Sequence, residues 1–551
     1  MSAPNIVEDL EPRRLLAGFA IKVNFQPETS APPPGYRVDY GAPFARRANG
    51  YSYGWSADMR AESRDRNSAR STGQAWDTLI HMQRTGTARK WEITVPNARY
   101  KVRFVAGDPS YFNDTHRIAA EGVVVTTAKT TSTSPWTDRT ATIDVRDGRL
   151  TLAPATGSVN AKLDFVEITY VSELPVDNPL LAKIQSAFSY AGTAINRTLN
   201  DIGQNENVFV ERTRTDGSWK TVDRTHWAAG FLAGTMWQMY ARTGSPTWST
   251  YAKKWTLPLA PQVTQTGDLA FKFLTTYLPL YQLTRNDAYR QVLLSAAASK
   301  NAQWNNTVGA YRTTWFTTRS GNPRANFAVL MDMTTDMELL IWAGRQTGNQ
   351  QYIDRAIAHT QKVVANQVRA DGSISQFGMY DSANGEFIMQ ETYQGYSNSS
   401  TWSRGQAWAI NSYAMMARET GRADFLAAAR KVADYFISHL PADYVPYWDF
   451  AAPDIPNTYR DSSAAAIAAS GLIDLSKLMT DATAKARYRT AAENILKSLL
   501  GPSYWAQGTI HRGLIQHGAV NVPNDQFGRD NSIIYGDYYL LKAMNQYVAI
   551  A

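Results

Sequence analysis

Past residue 174 the chain repeats one local unit: the end of an apolar helix, a threonine, a short polar turn, and a second amphipathic helix with an aromatic residue early in it. The unit occurs as YARTGSPTWSTYAKKW, YQLTRNDAYRQVLLSAA, WAGRQTGNQQYIDRAIAHT, ARETGRADFLAAARKVADYF and LSKLMTDATAKARYRTAAENIL, with its threonine at Thr243, Thr284, Thr347, Thr420 and Thr480. A helix hairpin cannot bury its apolar face alone, so neighbouring units must stack. At a mean spacing of about 60 residues, about six units fit before the C-terminus. Six hairpins can close into a ring of inner and outer helices, an (α/α)6 barrel, whereas an open solenoid would need polar caps at its ends.

The part before residue 173 has a different period. KWEITVPNARYKVRFVAGD (Lys90 to Asp108) reads as two strands around a Pro-Asn turn, and GVVVTTAKTT and KLDFVEITYV read as further strands. Gly, Asp, Asn and Pro punctuate these runs about every ten residues, the signature of an all-β sandwich. A chain of 551 residues is too long for one ordinary core. The expected organisation is a leader over 1–18, a β-sandwich over 19–173 and a helical barrel over 174–551, with Pro175 and Pro179 marking the linker.

Composition removes several function classes. No cysteine is present, which excludes disulfides, thiolate zinc sites and cysteine nucleophiles. No apolar run approaches the length of a membrane span, so integral membrane association is not expected. The net charge of +8 is modest for the length, and no Lys/Arg cluster interleaves with stacking aromatics as a nucleic-acid groove requires. It is compatible with an acidic substrate. The aromatic content of 12%, with 16 Trp and 29 Tyr, suits a sugar-binding surface.

A closed ring leaves a central cavity at the starts of its inner helices, so polar or aromatic residues there become site candidates. Gln394 to Trp408, QGYSNSSTWSRGQAW, places a glutamine, two tryptophans and Arg404 within a short span. Such a set can grip a planar anionic ring: the Trp faces stack, the guanidinium pairs with a carboxylate, and the amide reads oxygen atoms. The same segment also reads as a loop entering a helix capped by Ser399 or Ser400, with Trp402 and Trp408 filling core. Three acids stand out beside it. Asp268 precedes the apolar run LAFKFLTTYLPLY, Asp332 sits inside NFAVLMDMTTDMELLIWA, and Asp461 precedes an Ala-rich helix. Burial without a partner would raise the pKa of such a carboxyl and suit a general acid. Asp268 and Asp461 also read as helix caps, and Asp336 as an exposed partner of Asp332 one turn on.

The series HWAAGFLAGTMW, TGDLAF, VLMDMTTDMELLIWA, YQGYSNSSTWSRGQAWAI and VPYWDFAAPDIPNTYRDSSAAAIAASGL resembles the unsaturated glucuronyl hydrolases of glycoside hydrolase family 88, in order from about Trp227 to Leu472. The resemblance implies an (α/α)6 barrel without a cofactor. It implies removal of a 4,5-unsaturated uronic acid from the non-reducing end of lyase-generated oligosaccharides. It makes Asp332 the general acid/base and Asp268 an assisting carboxylate. It makes Gln394, Trp402, Arg404 and Trp408 a sugar-gripping wall, with Trp227 opposite and Ser463 near the uronate carboxylate. Two positions depart from the family pattern: Gly267 stands where members commonly carry His before the first catalytic Asp, and Tyr393 where they carry His before the Gln. Losing two imidazoles alters hydrogen bonding around the sugar and points to a changed substrate preference. Unsaturated rhamnogalacturonyl hydrolysis, or a binding-only surface protein with a degenerate barrel, are the alternatives.

Near the C-terminus His511, His517, Asp525, Asp530 and Asp537 fall in one stretch, but the histidines lie six apart in a loop, unlike a helical metal pair, and no metal is expected. The run YGDYYLLKAM reads as the last inner helix, with Tyr535 and Asp537 at the barrel mouth. In the β part, NFQP, GYSYGW, DTLIHMQ and LDFVEI resemble malectin-like, carbohydrate-binding-module-type jelly rolls. That implies either a polysaccharide ligand, with Tyr53, Trp55 and His81 as possible contacts, or a packing spacer. LEPRRLL at Leu10 to Leu16 resembles the LEPR-x-LL segment of exported bacterial surface proteins, so an exported, periplasmic or surface location is expected.

Overall fold

The computed structural model describes residues 19–84, 87–174, 178–264 and 267–551; the LEPRRLL segment and Pro175 lie outside them. The chain divides into two compact units, Met1–Asp177 and Asn178–Ala551.

Among its described residues the first unit is all-β apart from short helical turns. One sheet runs in the order Trp136–Val145, Ala98–Gly107, Phe165–Ser172, Ala20–Phe25, Arg37–Asp39. A six-stranded sheet and a three-stranded one complete the unit, and residues of all three, such as Val23, Ile93 and Ile80, share one core. The Pro-Asn turn does not make the expected hairpin. Trp91–Thr94 pairs with Arg149–Pro154, while Ala98–Gly107 pairs with Trp136–Val145 and Phe165–Ser172, so the turn carries the chain from one sheet to another. Alternation identified both strands, but it is blind to which partner each one takes. KLDFVEITYV likewise splits at Asp164 into strands of two different sheets. Tyr53, Trp55 and His81, considered above as ligand contacts, are all buried. Trp55 and Trp91 both donate their indole N–H to Asp39, at 3.2 and 2.8 Å, so these rings are occupied as core.

The second unit is the ring anticipated from the repeats. An outer helix α1 (Pro179–Asp201) is followed by the inner α2 (Gly230–Thr243) and outer α3 (Pro246–Thr256). Next come a broken inner pair, α4 (Leu269–Phe273) and α5 (Tyr277–Thr284), and outer α6 (Asp287–Ala302). Inner α7 (Asp336–Thr347), α9 (Ser403–Thr420) and α11 (Ser462–Leu478) alternate with outer α8 (Gln350–Gln367), α10 (Ala423–Ser438) and α12 (Ala482–Leu499). Inner α13 (Ile534–Val548) packs against both α11 and α2, which closes the ring. The inner α9 and α11 are buried on nearly every side, while outer helices such as α8 bury one stripe, as their places in the ring demand.

The recurring threonine has a physical role. Oγ1 of Thr243, Thr284, Thr347 and Thr420 donates to the carbonyl four residues back. The same oxygens accept the amide two residues on, from Ser245, Asn286, Asn349 and Arg422. Each hydroxyl thus ties off an exposed helix end and starts the turn. Gly244, Gly348 and Gly421 follow in the left-handed conformation, where a side chain would be strained, and Arg285 occupies the equivalent place at φ 54°. Thr480 differs, because α11 ends two residues earlier, at Leu478.

Candidate active site

Asp268 begins α4 with left-handed backbone angles (φ 44°, ψ 38°), and its side chain makes no capping bond. The amide of Ala270, which such a cap would have taken, is donated to Asp336 Oδ1 at 2.7 Å instead. Asp332 is the second residue of the 3-10 turn Met331–Thr335, placed between the strand Phe327–Leu330 and α7. Its Oδ1 is buried and has no hydrogen-bond partner among the described residues. Both carboxyls line one cavity of about 380 Å³, walled by Trp227, Phe271, Trp315, Tyr393, Trp402, Trp408 and Tyr535.

The electrostatics separate the two acids. Burial, then the nearby charge of Asp268, pushes Asp332 up to about 8, against an opposing pull from Arg404. Burial, then Asp336, pushes Asp268 up to about 6, against Lys300 and Lys272. Two half-buried carboxyls whose affinities for the proton are driven apart can divide an acid and a base task between them.

Several expectations are corrected. Arg404 does line the cavity, but its fork is already engaged. Nη1 donates to Asp461 Oδ2 at 2.5 Å and to Ala519 O, and Nη2 donates to Val520 O at 2.5 Å. The guanidinium stacks on Trp402 at 4.4 Å, so it is a positive plate fixed in the wall. Asp461 is fully buried and accepts from the amides of Ser463 and Ala464 as the cap of α11, with no part in lining the cavity. Ser463 is not among the lining residues either, because its hydroxyl donates to Asp461 Oδ1. Gln394 lines the cavity, yet its amide is held at both ends: Oε1 accepts from Gln376 at 2.7 Å and Nε2 donates to Val520 O at 2.9 Å. Asp336 is not exposed beside Asp332. It is 1% accessible and its Oδ2 lies 2.9 Å from Lys300 Nζ.

For Trp402 and Trp408 the two readings of their segment merge. They are 5% and 2% exposed, so they are core, and they also form the cavity wall. Neither Ser399 nor Ser400 caps α9, whose N-cap is Trp402. Trp227 stands against Tyr535 at 5.1 Å, so the last inner helix does present that tyrosine to the cavity, while Asp537 points elsewhere and accepts from the amides of Leu514 and Ile515. Gly267 is exposed, and a Cβ there would meet nothing within 4 Å. Tyr393 lines the cavity, with Trp315 edge-on at 5.5 Å and the Arg319 guanidinium 4.5 Å over its ring.

Trp315, Phe271 and Asn521 line the cavity without having been anticipated. The Phe271 signal existed, one turn past Asp268 on the same helix. Trp315 lies in YRTTWFTTRSGNP, which carries no periodicity to place it. At the C-terminal end, His517 meets Asp530 at 2.8 Å and His511 meets Thr213 at 3.0 Å, and among the described residues no cluster of His, Cys, Asp and Glu could hold a metal ion. Among the described residues no helix is long and apolar enough to cross a membrane.

Comparison with known proteins gives this geometry its context. The model of Glycosyl Hydrolase Family 88 matches residues 200–546. An unsaturated glucuronyl hydrolase of Formosa agariphila is 33% identical over 327 residues, 58% of this chain and 79% of that protein. A second, from Bacillus sp. strain GL1, is 31% identical over 361 residues, 64% of this chain and 95% of its own length. The crystal structure of an unsaturated glucuronyl hydrolase specific for heparin superposes with a TM-score of 0.63 at 30% identity, covering 67% of this chain and 98% of the other.

Proposed function

The chain belongs to Glycosyl Hydrolase Family 88 and is a glycoside hydrolase, and from that membership we propose that it removes a 4,5-unsaturated uronic acid from the non-reducing end of oligosaccharides left by polysaccharide lyases. The observation that carries the reading is Asp332: a carboxyl with an unpartnered oxygen, held protonated near neutral pH, inside an aromatic cavity of monosaccharide scale.

In this mechanism Asp332 gives its proton to carbon 4 of the vinyl ether, and charge develops at carbon 5, next to the ring oxygen. The Asp332 carboxylate then takes a proton from a water molecule whose oxygen bonds to carbon 5. The product is a hemiketal. Its bond from carbon 5 to the ring oxygen breaks to give a ketone, the ring oxygen leaves as a hydroxyl on carbon 1, and the resulting hemiacetal expels the second sugar. Asp268 orients the ring and holds the proton on Asp332 through its charge. Trp402, Trp408 and Trp227 bear on the apolar faces of the sugar, and the Arg404 plate in this wall favours an anionic ring. Because protonation occurs at carbon rather than at the glycosidic oxygen, the carboxyl-separation rule for retaining and inverting glycosidases does not govern this site.

The test is loss of the conjugated double-bond absorbance on lyase-generated disaccharides. Turnover of glucuronyl substrates supports the reading. Turnover of rhamnogalacturonan fragments alone would move it to the related rhamnogalacturonyl activity, and no turnover of either would leave a binding-only barrel.

A further inference from the structure

Directly behind the cavity lies a charged pair that the reaction does not touch. Asp336 on α7 and Lys300 on α6 have side chains 2% and 0% exposed, with Oδ2 and Nζ 2.9 Å apart. Burying a lone ion pair is a poor source of stability, since desolvation takes back most of the attraction. The other oxygen of Asp336 explains its place: it accepts the Ala270 amide at 2.7 Å, the second residue of the helix that Asp268 begins. A helix-start aspartate ordinarily turns its own carboxylate onto that amide. Asp268 does not, and its left-handed backbone turns it away from doing so.

Resting on the reading of Asp268 and Asp332 as the reacting carboxyls, we propose that Asp336 and Lys300 are positioning residues: Asp336 caps α4 in place of Asp268, freeing the Asp268 carboxylate for the substrate, while the opposite charges of the pair balance the field that Asp268 experiences. The charged groups around Asp268 are Asp332 from the 3-10 turn, Asp336 from α7, Lys300 from α6 and Lys272 from its own helix. Lys300 in turn faces the Tyr311 ring at 5.6 Å, and His359 behind it is held neutral, pushed down to about 3 by burial and by Lys300. Asp336 therefore acts on Asp268 as a like charge that raises its proton affinity, and Lys300 as the counter-charge that restrains the rise.

The experiment uses the full chain and compares Asp336→Asn with Lys300→Met. Asp336→Asn keeps an acceptor for Ala270 but drops the negative charge, so the acid limb of the rate profile moves to lower pH by about half to one unit. Lys300→Met leaves Asp336 uncompensated, so the limb moves up by a similar amount, and the double variant returns it near the parent position. Asp336→Ala, without any acceptor, loses kcat at every pH with KM less affected. The same proton affinity is read without turnover from the difference in Tm between each background and its Asp268→Asn derivative across pH 4 to 8, a linkage measurement. Absence of turnover in the parent would sink the functional reading yet leave this second readout intact. Limbs and Tm differences that stay fixed, or shift the same way in both variants, would overturn the proposal.

Discussion

Arg404 Nη1 lies 2.5 Å from Asp461 Oδ2, between side chains 3% and 0% exposed and 57 positions apart in sequence. One bond both fixes the stacked cation in the cavity wall and seats the cap of α11. Asp461→Asn preserves an acceptor for the α11 amides but strands the buried guanidinium, at a cost on the order of 3–5 kcal/mol. Chemical denaturation should show that loss as a lowered midpoint with an unchanged slope; an unmoved midpoint contradicts the account.

The proton affinities of the two carboxyls set the pH response. Asp332 must carry a proton to deliver it, so turnover falls as pH rises through about 8. Asp268 must be ionised to act as a charge, so turnover also falls as pH drops through about 6. Because the groups interact, these limbs belong to the pair rather than to either residue alone. A kcat/KM profile flat from pH 5 to 9 would refute this division of roles.

Asp332→Asn should abolish turnover and stabilise the fold together. The folded-state pKa of Asp332 is raised from its ordinary 3.8 to about 8, so between those values the folded chain holds a proton that the unfolded chain releases. Stability is therefore lost progressively as pH climbs from about 4 to about 8, and the asparagine variant escapes that loss. Its Tm advantage over the parent should widen across that window and then level off. An advantage that is constant with pH, or absent, disagrees with the burial argument.

Trp315 is 51% exposed and stands edge-on to Tyr393 and Phe377 at 5.5 Å each, at the cavity rim. Trp315→Ala should raise KM about 5–10-fold through lost ring contact and leave kcat within about two-fold. Steady-state kinetics on an unsaturated disaccharide would decide; a kcat loss with KM unchanged would place the ring at the reacting bond instead.

Much of this was legible in the sequence because it rests on local regularity. The Thr-turn units foretold the helix hairpins since the threonine hydroxyl itself makes four of the five turns, and Asp332 stood out because a carboxyl among Val, Leu and Met residues has no surface to reach. What stayed hidden depends on partners far along the chain. Arg404 looked free to hold a substrate carboxylate because nothing near it in sequence announces Asp461 or the carbonyls of Ala519 and Val520. Asp336 looked exposed for the same reason, since Lys300 reaches it from another helix. Trp315 sits on a loop whose path is set by Phe316 stacked on Phe377 at 4.0 Å, and the bare sequence does not suggest that pairing.

The closed ring also governs how the site comes into being. Its seam is made by residues remote in sequence: Asn545 donates to Gln238 O at 3.0 Å across 307 positions, and Asn531 to Thr213 O at 2.7 Å across 318. Contacts of such high order carry the loop-closure cost of nearly the whole ring. Trp227 and Tyr535 lie on opposite sides of that seam and touch across the cavity. A ring opened at that seam would keep the carboxyls but lose the complete binding wall, so a ligand that needs the closed wall favours the closed ring by mass action.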